Sequence, residues 1–133
     1  MAQQTGRKAN VFPALRYDDG AAAIDWLARA FGFEKHFVVP GAGSQIAHAQ
    51  LTIGPGMIMV GSGRDAAGGN PWNDVRQGVY VQVPDIDAHY ARAQAAGAEI
   101  VRELADTEYG SREYSARDPE GHLWSFGTYD PWK

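Results

Sequence analysis

Cysteine is absent from this chain of 133 residues, which excludes disulfides, thiolate metal sites and cysteine nucleophiles. Long apolar runs are also absent, and the polar opening segment MAQQTGRKAN lacks the apolar core of a secretory signal or a membrane span. Basic residues are few: the 12 Lys and Arg are scattered among 16 Asp and Glu, so no basic patch indicates a nucleic-acid partner. We therefore expect a cytoplasmic protein that binds neither nucleic acid nor membranes.

The composition that remains is that of an ordinary globular protein. Apolar residues make up 44% of the chain and charged residues 21%, which is enough for one core, and the length falls short of two ordinary domains. We expect a disordered N-terminus over residues 1–10 and a single domain over residues 11–133. The net charge of -4 mildly favours a cationic ligand.

The hydrophobic pattern predicts the element order β-α-β-β-β twice. The first module covers residues 11–62, a glycine-rich linker covers residues 63–77, and the second module covers residues 78–130. In the first helix an apolar stripe runs from Ile24 to Phe31 at spacings of three and four. The predicted strands are Val11–Tyr17, Glu34–Pro40, Ser44–Ile53, Gly56–Gly61, Gly78–Val83 and Glu99–Leu104, followed by a hairpin within Tyr109–Tyr129.

An internal repeat supports this division. The letters AFGFE at Ala30–Glu34 match AAGAE at Ala95–Glu99, 65 residues later, and IGPGMIMVG at Ile53–Gly61 matches DPEGHLWSF at Asp118–Phe126 at the same offset. A period this long indicates paired half-domains rather than a solenoid. We predict an α+β fold in which two tandem βαβββ modules form a curved mixed sheet, with helices on one face and a cleft on the other.

The segment Asp118–Gly121 predicts the tight turn of the last hairpin, because Asp, Pro and Gly occupy the first, second and fourth positions of a type I turn. If the two ends of this segment close the turn, Tyr114 lies opposite Ser125. The period of two then puts Arg112, Tyr114 and Ser125 on one face of the hairpin and Trp124 on the other.

Several motifs accompany the paired modules: Tyr-Asp-Asp before the first helix, AFGFE after it, VPDIDA before the second helix, and YGSR followed by DPEGHLWSFG. With these motifs the chain, over residues 10–130, resembles the vicinal oxygen chelate superfamily, which includes glyoxalase I, extradiol dioxygenases, and fosfomycin and bleomycin resistance proteins. The resemblance implies a homodimer in which each cleft is shared between the first module of one chain and the second module of the other. It does not select an activity, because the fold hosts several chemistries.

The resemblance also implies four metal-ligand positions, since enzymes of the superfamily carry one each on the first, fourth, fifth and eighth strands. Matched by motif, these positions fall at Phe12, Val60, Val79 and Ser125, with Met59 in place of Val60 if the register shifts by one. Phe, Val and Met do not bind a hard divalent ion, and neutral Ser is a poor ligand. We therefore expect these positions to line a cleft without a metal or another cofactor.

His48 is the histidine best suited to a ligand site, because Gln50 shares its face of the predicted third strand. If this polar face looks into the cleft, His48 and Gln50 can hold a ligand. If the opposite face does, Ala47, Ala49 and Val60 point inward instead.

Arg112, Tyr114 and Trp72 complete the predicted ligand-binding residues. Arg112 either pairs with an anionic ligand in the cleft or braces Glu120 or a loop. Tyr114 offers a ring and a hydroxyl to the same cavity. Trp72, in the glycine-rich linker, is a candidate lid over a ligand or an anchor at a subunit contact.

These features favour a metal-independent small-molecule binding protein of the bleomycin-resistance type, which sequesters its ligand and thereby confers antibiotic resistance. The alternative is a metal-dependent glyoxalase-like lyase or isomerase, or an extradiol dioxygenase. It requires His48 and Glu113, which correspond under the 65-residue offset, to turn inward together. A structural module with a filled, vestigial cleft is the third interpretation.

Overall fold

A computed structural model describes residues 10–43, 45–62 and 71–132. The predicted disordered N-terminus lies, but for Asn10, outside the described residues, as do residues 63–70 of the predicted linker. No helix in the described ranges is long and apolar enough to cross a bilayer. In chain order the elements are β1 (Ala14–Tyr17), α1 (Gly20–Phe31), β2 (Glu34–Pro40), β3 (Ile46–Ile53), β4 (Gly56–Ser62), a 3₁₀ helix (Pro71–Asp74), β5 (Gly78–Gln82), α2 (Ile86–Ala95), β6 (Glu99–Asp106), β7 (Arg112–Arg117) and β8 (Leu123–Gly127).

Each module forms its own four-stranded mixed sheet. The strand order is β1-β4-β3-β2 in the first sheet and β5-β8-β7-β6 in the second. In both sheets the first strand of the module runs parallel to the last, and the other pairs are antiparallel. The predicted α+β fold of tandem βαβββ modules is therefore confirmed, with hydrogen bonding dividing the strands into two sheets.

Each sheet buries one face, here called the back face, against the helices, and its other face is called the front face. Phe31 of α1 joins the two halves of the core, because its ring centroid lies 5.5 Å from that of Trp124 and 4.7 Å from that of Phe126. The core is thus continuous across the modules. Buried back-face side chains are Leu15, Tyr17, Ala49, Leu51, Ile58 and Val60 in the first sheet and Tyr114, Ala116, Trp124 and Phe126 in the second.

The ends of α1 follow the sequence closely. The Asp19 carboxylate caps the first turn by accepting a hydrogen bond from the Ala22 amide at 3.0 Å. Gly32 ends the helix with φ of 86°, a left-handed conformation that glycine adopts without steric cost. The helix start and its predicted glycine cap are therefore explained by local side-chain and backbone chemistry.

Side chains from α2 complete the C-terminal end of α1 and tie the two modules together. The Arg92 guanidinium donates to the carbonyls of Arg29 at 3.0 Å and Ala28 at 3.1 Å, and His89 Nε2 donates to the Phe31 carbonyl at 2.8 Å. The last carbonyls of a helix have no partner within the helix, and a cation suits the negative end of the helix dipole. Burial lowers the pKa of His89, and the positive charge of Arg92 lowers it further. The hydrogen bond to the Phe31 carbonyl raises this pKa, but by less than burial lowers it.

A second junction is centred on Asp118 at the start of the β7–β8 turn. Its buried carboxylate accepts hydrogen bonds from the Tyr17 hydroxyl at 2.5 Å and from the Trp124 indole at 3.0 Å. The same carboxylate accepts from the backbone amides of Glu120 and His122, each at 3.1 Å. Because Tyr17 is in β1, this carboxylate links the first module to the turn of the second.

The β7–β8 turn is where the predicted strand register is wrong. Gly121 adopts φ of 96° and adds one residue to the loop, so the Asp118 amide bonds to the His122 carbonyl at 2.9 Å. Tyr114 consequently pairs with Phe126, and Ser125 pairs with Ser115. A shift of one residue moves side chains to the opposite face. Tyr114 therefore lies on the back face and Ser125 on the front face.

Candidate functional site

The front face of the first sheet holds a cavity of about 240 Å³. Its walls come from three strands, β1, β3 and β4, and from the 3₁₀ helix that precedes the second module. Front-face side chains alternate with the buried back-face residues along each strand, so the period of two selects which residues meet here. The residues that line this front cavity are Ala14, Leu15, Arg16, Ala47, His48, Met59, Val60, Gly61 and Trp72.

The strand register places His48 and Gln50 on the front face. Ala49 pairs with Val60 on the back face, whereas Gln50 pairs with Met59. The polar face of β3 therefore looks away from the core. Of the alternative set Ala47, Ala49 and Val60, only Ala49 is excluded from the front cavity, which Ala47 and Val60 border together with His48. The Gln50 amide donates to the Met57 sulfur at 3.3 Å, which fixes its side chain beside the cavity.

Arg16 is a member of the front cavity that the sequence argument missed. Its guanidinium lies over Gly61, where a β-carbon would stand 3.1 Å from Arg16 Nη1. Because Gly61 has no side chain, the Arg16 guanidinium has room to lie across the floor of the cavity. The signal was present in the alternation of β1, because once Leu15 and Tyr17 are assigned to the core, Ala14 and Arg16 must face the other way.

Trp72 borders the front cavity from outside the sheet. It lies in the 3₁₀ helix Pro71–Asp74, and its exposed fraction is 55%. The residue was predicted to be a lid or a subunit anchor, and its position at the rim is the one a lid requires. Its role in binding stays a prediction.

Two of the four strand positions matched by motif lie on the back face. Leu15 pairs with Val60, and Val79 pairs with Trp124, so Val60 and Val79 belong to the core side of their strands. The predicted placement of Val79 in the cleft is therefore wrong, whereas Val60 borders the front cavity although its side chain belongs to the core. The extra residue at Gly121 explains why Val60 is on the back face, because the repeat offset lengthens from 65 residues (Ala49 to Tyr114) to 66 (Val60 to Phe126) beyond that turn.

The other positions fall where a ligand can reach them. Met59, the alternative to Val60, is on the front face and lines the cavity. Ser125 is on the front face of the second sheet, where its hydroxyl shares a hydrogen bond of 2.7 Å with that of Ser115. Phe12 is exposed and lies two residues before the start of β1.

Arg112 and Tyr114 lie on the back face of the second sheet, so their predicted placement in the cleft is wrong. Arg112 reaches α2 and β6, donating to Asp87 at 2.9 Å and Asp106 at 3.1 Å, so it braces neighbouring elements rather than a ligand. These hydrogen bonds raise the pKa of Arg112. The Tyr114 hydroxyl donates to His89 Nδ1 at 2.7 Å, and burial raises the pKa of Tyr114.

On the four strands that carry metal ligands in the superfamily, the front-face side chains lack the residue types of a divalent-metal site. In the described ranges, no three His, Asp or Glu side chains lie close enough together to hold an ion. His48 and Glu113 do both occupy front faces, as their correspondence in the repeat requires, but on separate sheets. Front-face residues of the four strands that carry ligands in the superfamily are Ala14 and Arg16 on β1, Met57, Met59 and Gly61 on β4, Gly78, Tyr80 and Gln82 on β5, and Leu123, Ser125 and Gly127 on β8.

Two larger cavities, of about 350 and 480 Å³, adjoin each other on the helix side of the molecule around Trp26. Both are bordered by Asp118 and Glu120 of the β7–β8 turn. These carboxylates already serve the fold, because Glu120 accepts from the backbone amides of Asp18 and Asp19 at 2.6 and 2.9 Å. The front cavity, whose walls carry donor groups on a sheet face, is the better candidate for a ligand site.

Comparison with known proteins now identifies the family. The sequence profile of the Glyoxalase/Bleomycin resistance protein/Dioxygenase superfamily matches residues 11–126. The chain belongs to this superfamily. The vicinal oxygen chelate resemblance inferred from its motifs is thereby confirmed.

Individual members of the superfamily share the fold at different levels of identity. The crystal structure of TioX from Micromonospora sp. ML1 superposes with a TM-score of 0.77 at 40% identity, covering 90% of this chain and 97% of that one. An uncharacterized protein of Mycobacterium tuberculosis is 35% identical over 89% of this chain and 75% of its own length. The fosfomycin resistance protein FosX from Listeria monocytogenes, crystallised with Mn(II) and sulfate, is only 16% identical, with a TM-score of 0.67 over 92% and 91% of the two chains. That last likeness shows the fold alone.

Proposed function

We propose that this superfamily member is a metal-independent small-molecule binding protein that sequesters its ligand in the front cavity. The observation that carries the proposal is the set of front-face residues on β1, β4, β5 and β8. None of these side chains is a His, Asp, Glu or Cys, the types that bind a catalytic divalent ion. Sequestration needs only a complementary surface, which these residues supply.

The walls of the front cavity suit a molecule that carries an aromatic or apolar body. Met59 and Trp72 offer a polarizable sulfur and an exposed indole ring, both of which pack well on flat rings. Arg16 and His48 add hydrogen-bonding groups, and Gln50 lies next to them on β3. Ligand pockets usually combine a mostly apolar wall with a few polar groups. An antibiotic with an aromatic ring system fits this chemistry, which agrees with a role in resistance.

The proposal includes a homodimer, in which the second module of a partner chain closes the front cavity. Members of the superfamily are typically dimeric, and this chain presents apolar side chains at a sheet edge. In β2, an edge strand of the first sheet, Phe37, Val38 and Val39 are all exposed. Exposed edge strands with apolar side chains favour association with another chain.

The second candidate is a metal-dependent lyase, isomerase or dioxygenase of the same superfamily. The observation in its favour is that His48 and Glu113 both lie on front faces. In a dimer these two side chains, brought together from different chains, would still supply only two ligands. A catalytic zinc or manganese site takes at least three protein ligands in most enzymes, so this candidate ranks second.

Trp72 gives the first test of sequestration. Replacing Trp72 with Ala is expected to weaken binding of bleomycin and of the fluorescent probe anilinonaphthalene sulfonate by about threefold to tenfold, because one aromatic wall of the cavity is lost. Trp132→Ala is the matched control, since Trp132 is also exposed but does not border the cavity. Affinities are measured by isothermal titration for bleomycin and by fluorescence for the probe. Equal affinities for the wild type and both variants, or no binding of either compound, would count against the front cavity.

A further inference from the structure

A buried carboxylate occupies the front face of the second sheet. Glu113 lies opposite Gly127 in the β7–β8 pair, and its exposed fraction is only 6%. Its Oε1 accepts a hydrogen bond from the Tyr109 hydroxyl at 2.8 Å and lies 3.5 Å from Arg102 Nη1. A carboxylate removed from water to this extent needs positively charged or hydrogen-bonding partners.

Three exposed tyrosine rings form a group beside this carboxylate, because Tyr109 donates to it and Tyr129 contacts the rings of both Tyr109 and Tyr80. The ring centroid of Tyr129 lies 6.4 Å from that of Tyr80 and 6.3 Å from that of Tyr109. The Tyr80 hydroxyl donates to the Tyr129 carbonyl at 2.7 Å, which holds β5 and the segment after β8 together. All three rings are exposed, Tyr109 at 63%. A contiguous group of exposed aromatic rings is the kind of surface that marks a ligand-binding or interaction site.

Gly127 allows this arrangement to form. A β-carbon at Gly127 would stand 2.6 Å from Glu113 Cγ and 2.9 Å from the Tyr80 hydroxyl, so any other residue would push the two side chains apart. The glycine thus lets the carboxylate and the ring of Tyr80 lie side by side against the sheet. Its backbone φ is ordinary, so space rather than conformation requires glycine here.

The chain itself already places a cation at this site. The Arg102 side chain is 52% exposed, and the distance of 3.5 Å between Arg102 Nη1 and Glu113 Oε1 is long for a charged hydrogen bond. A half-exposed arginine can swing into solvent at little cost, which leaves the carboxylate and the rings to another cation. Ammonium groups bind in this way, with charge on the carboxylate and methyl or methylene groups on aromatic faces.

We propose that Glu113 with Tyr80, Tyr109 and Tyr129 forms a subsite for an alkylammonium group, which displaces Arg102 when it binds. The subsite extends the proposed function. It rests on that function in one respect, because the group that binds here is the cationic end of the molecule that the cleft sequesters. The acidic balance of the chain agrees with a cationic ligand. The subsite itself binds a simple cation whether or not the front cavity is occupied.

The test uses choline and its neutral isostere dimethylbutanol, in which carbon replaces the charged nitrogen. Binding is followed by saturation-transfer NMR on the methyl protons of each compound, with the full chain at constant ionic strength. We expect weak binding of choline and none of dimethylbutanol. Glu113→Gln should abolish choline binding, whereas Arg102→Gln should tighten it by about threefold to tenfold, because the competing internal cation is gone.

Arg117 and Glu99 provide a matched control, since they form an ion pair of the same length, 3.5 Å, on the same sheet. Arg117→Gln and Glu99→Gln should leave choline binding unchanged. Equal binding of the neutral isostere, or an Arg102→Gln variant that binds choline no better than the wild type, would overturn the subsite. If Glu113→Gln fails to fold, the Arg102→Gln variant decides alone. Bleomycin binding that depends on Trp72 while choline binding is absent would reject the subsite and leave the proposed function intact.

Discussion

Replacing Asp118 with Ala is expected to lower the free energy of unfolding by about 3–5 kcal/mol, with a fall in melting temperature of roughly 10–20 °C. Four donors lose their acceptor at once: the Tyr17 hydroxyl, the Trp124 indole and two backbone amides. Each buried donor left without a partner costs about 1–3 kcal/mol, although the four losses are not additive. Thermal unfolding followed by circular dichroism measures the change.

The chemistry of the donors explains why a carboxylate is needed at this position. Burial and the adjacent Asp118 charge raise the pKa of Tyr17, which keeps its hydroxyl protonated as a donor. The indole N–H of Trp124 can only donate. Asp118→Asn replaces one acceptor oxygen by an NH₂ group that faces these two donors, so it should cost about half as much as the alanine change.

Asp106→Asn is the control for the loss of a carboxylate charge alone. The Asp106 side chain is 80% exposed and pairs with Arg112 at the surface, so its replacement should change stability by less than about 0.5 kcal/mol. A loss of similar size at Asp106 and Asp118 would mean that net charge, rather than the hydrogen bonds between the modules, explains the effect.

Filling the front cavity should abolish ligand binding. Ala14 lies on the front face of β1, pairs with Met59 and borders the cavity, so Ala14→Phe places a ring in the space the ligand would occupy. We expect the affinity for bleomycin to fall by about thirtyfold or more, since a blocked pocket loses most of its contacts. Stability should change little, because the new ring extends away from the core. Titration calorimetry and thermal unfolding, run on the same sample, measure both quantities.

Ala91→Phe is the matched control for the cavity-filling change. Ala91 is exposed on α2, on the helix side of the molecule and outside the front cavity. If both variants are folded and Ala14→Phe binds bleomycin as tightly as the wild type, the front cavity is not the binding site. The cavities around Trp26 then become the candidates.

Local chemistry made much of the fold predictable. Asp19 and Gly32 mark the two ends of α1, and the apolar spacing between them specifies the buried stripe of the helix. The repeated element order then follows from the same signals in both modules, and the two sheets share one strand order. These predictions depend on residues close together in the sequence, where a short segment contains the whole physical cause.

The site was harder to predict because it depends on strand register. One left-handed glycine, Gly121, lengthened the last turn by a residue, so Tyr114 lies on the back face while Ser125 stays on the front face. The same glycine lengthened the repeat offset by one residue beyond the turn, so an offset of 65 matched Ser125 to Val60 instead of Met59. No periodic pattern could place Trp72, whose position at the cavity rim depends on how the segment between the modules returns to the first sheet.

The central claim is that the front cavity binds a small molecule without a metal, and bleomycin titration of chelator-treated protein tests it most directly. Calorimetric titrations are run after exhaustive treatment with chelator and again after incubation with Ni, Zn, Mn or Fe(II) and desalting, with the metal content of each sample measured. We predict the same affinity in every sample and far less than one ion per chain. About one ion per chain, together with binding that appears only in the metal-loaded samples, would contradict the account and favour the metal-dependent enzyme.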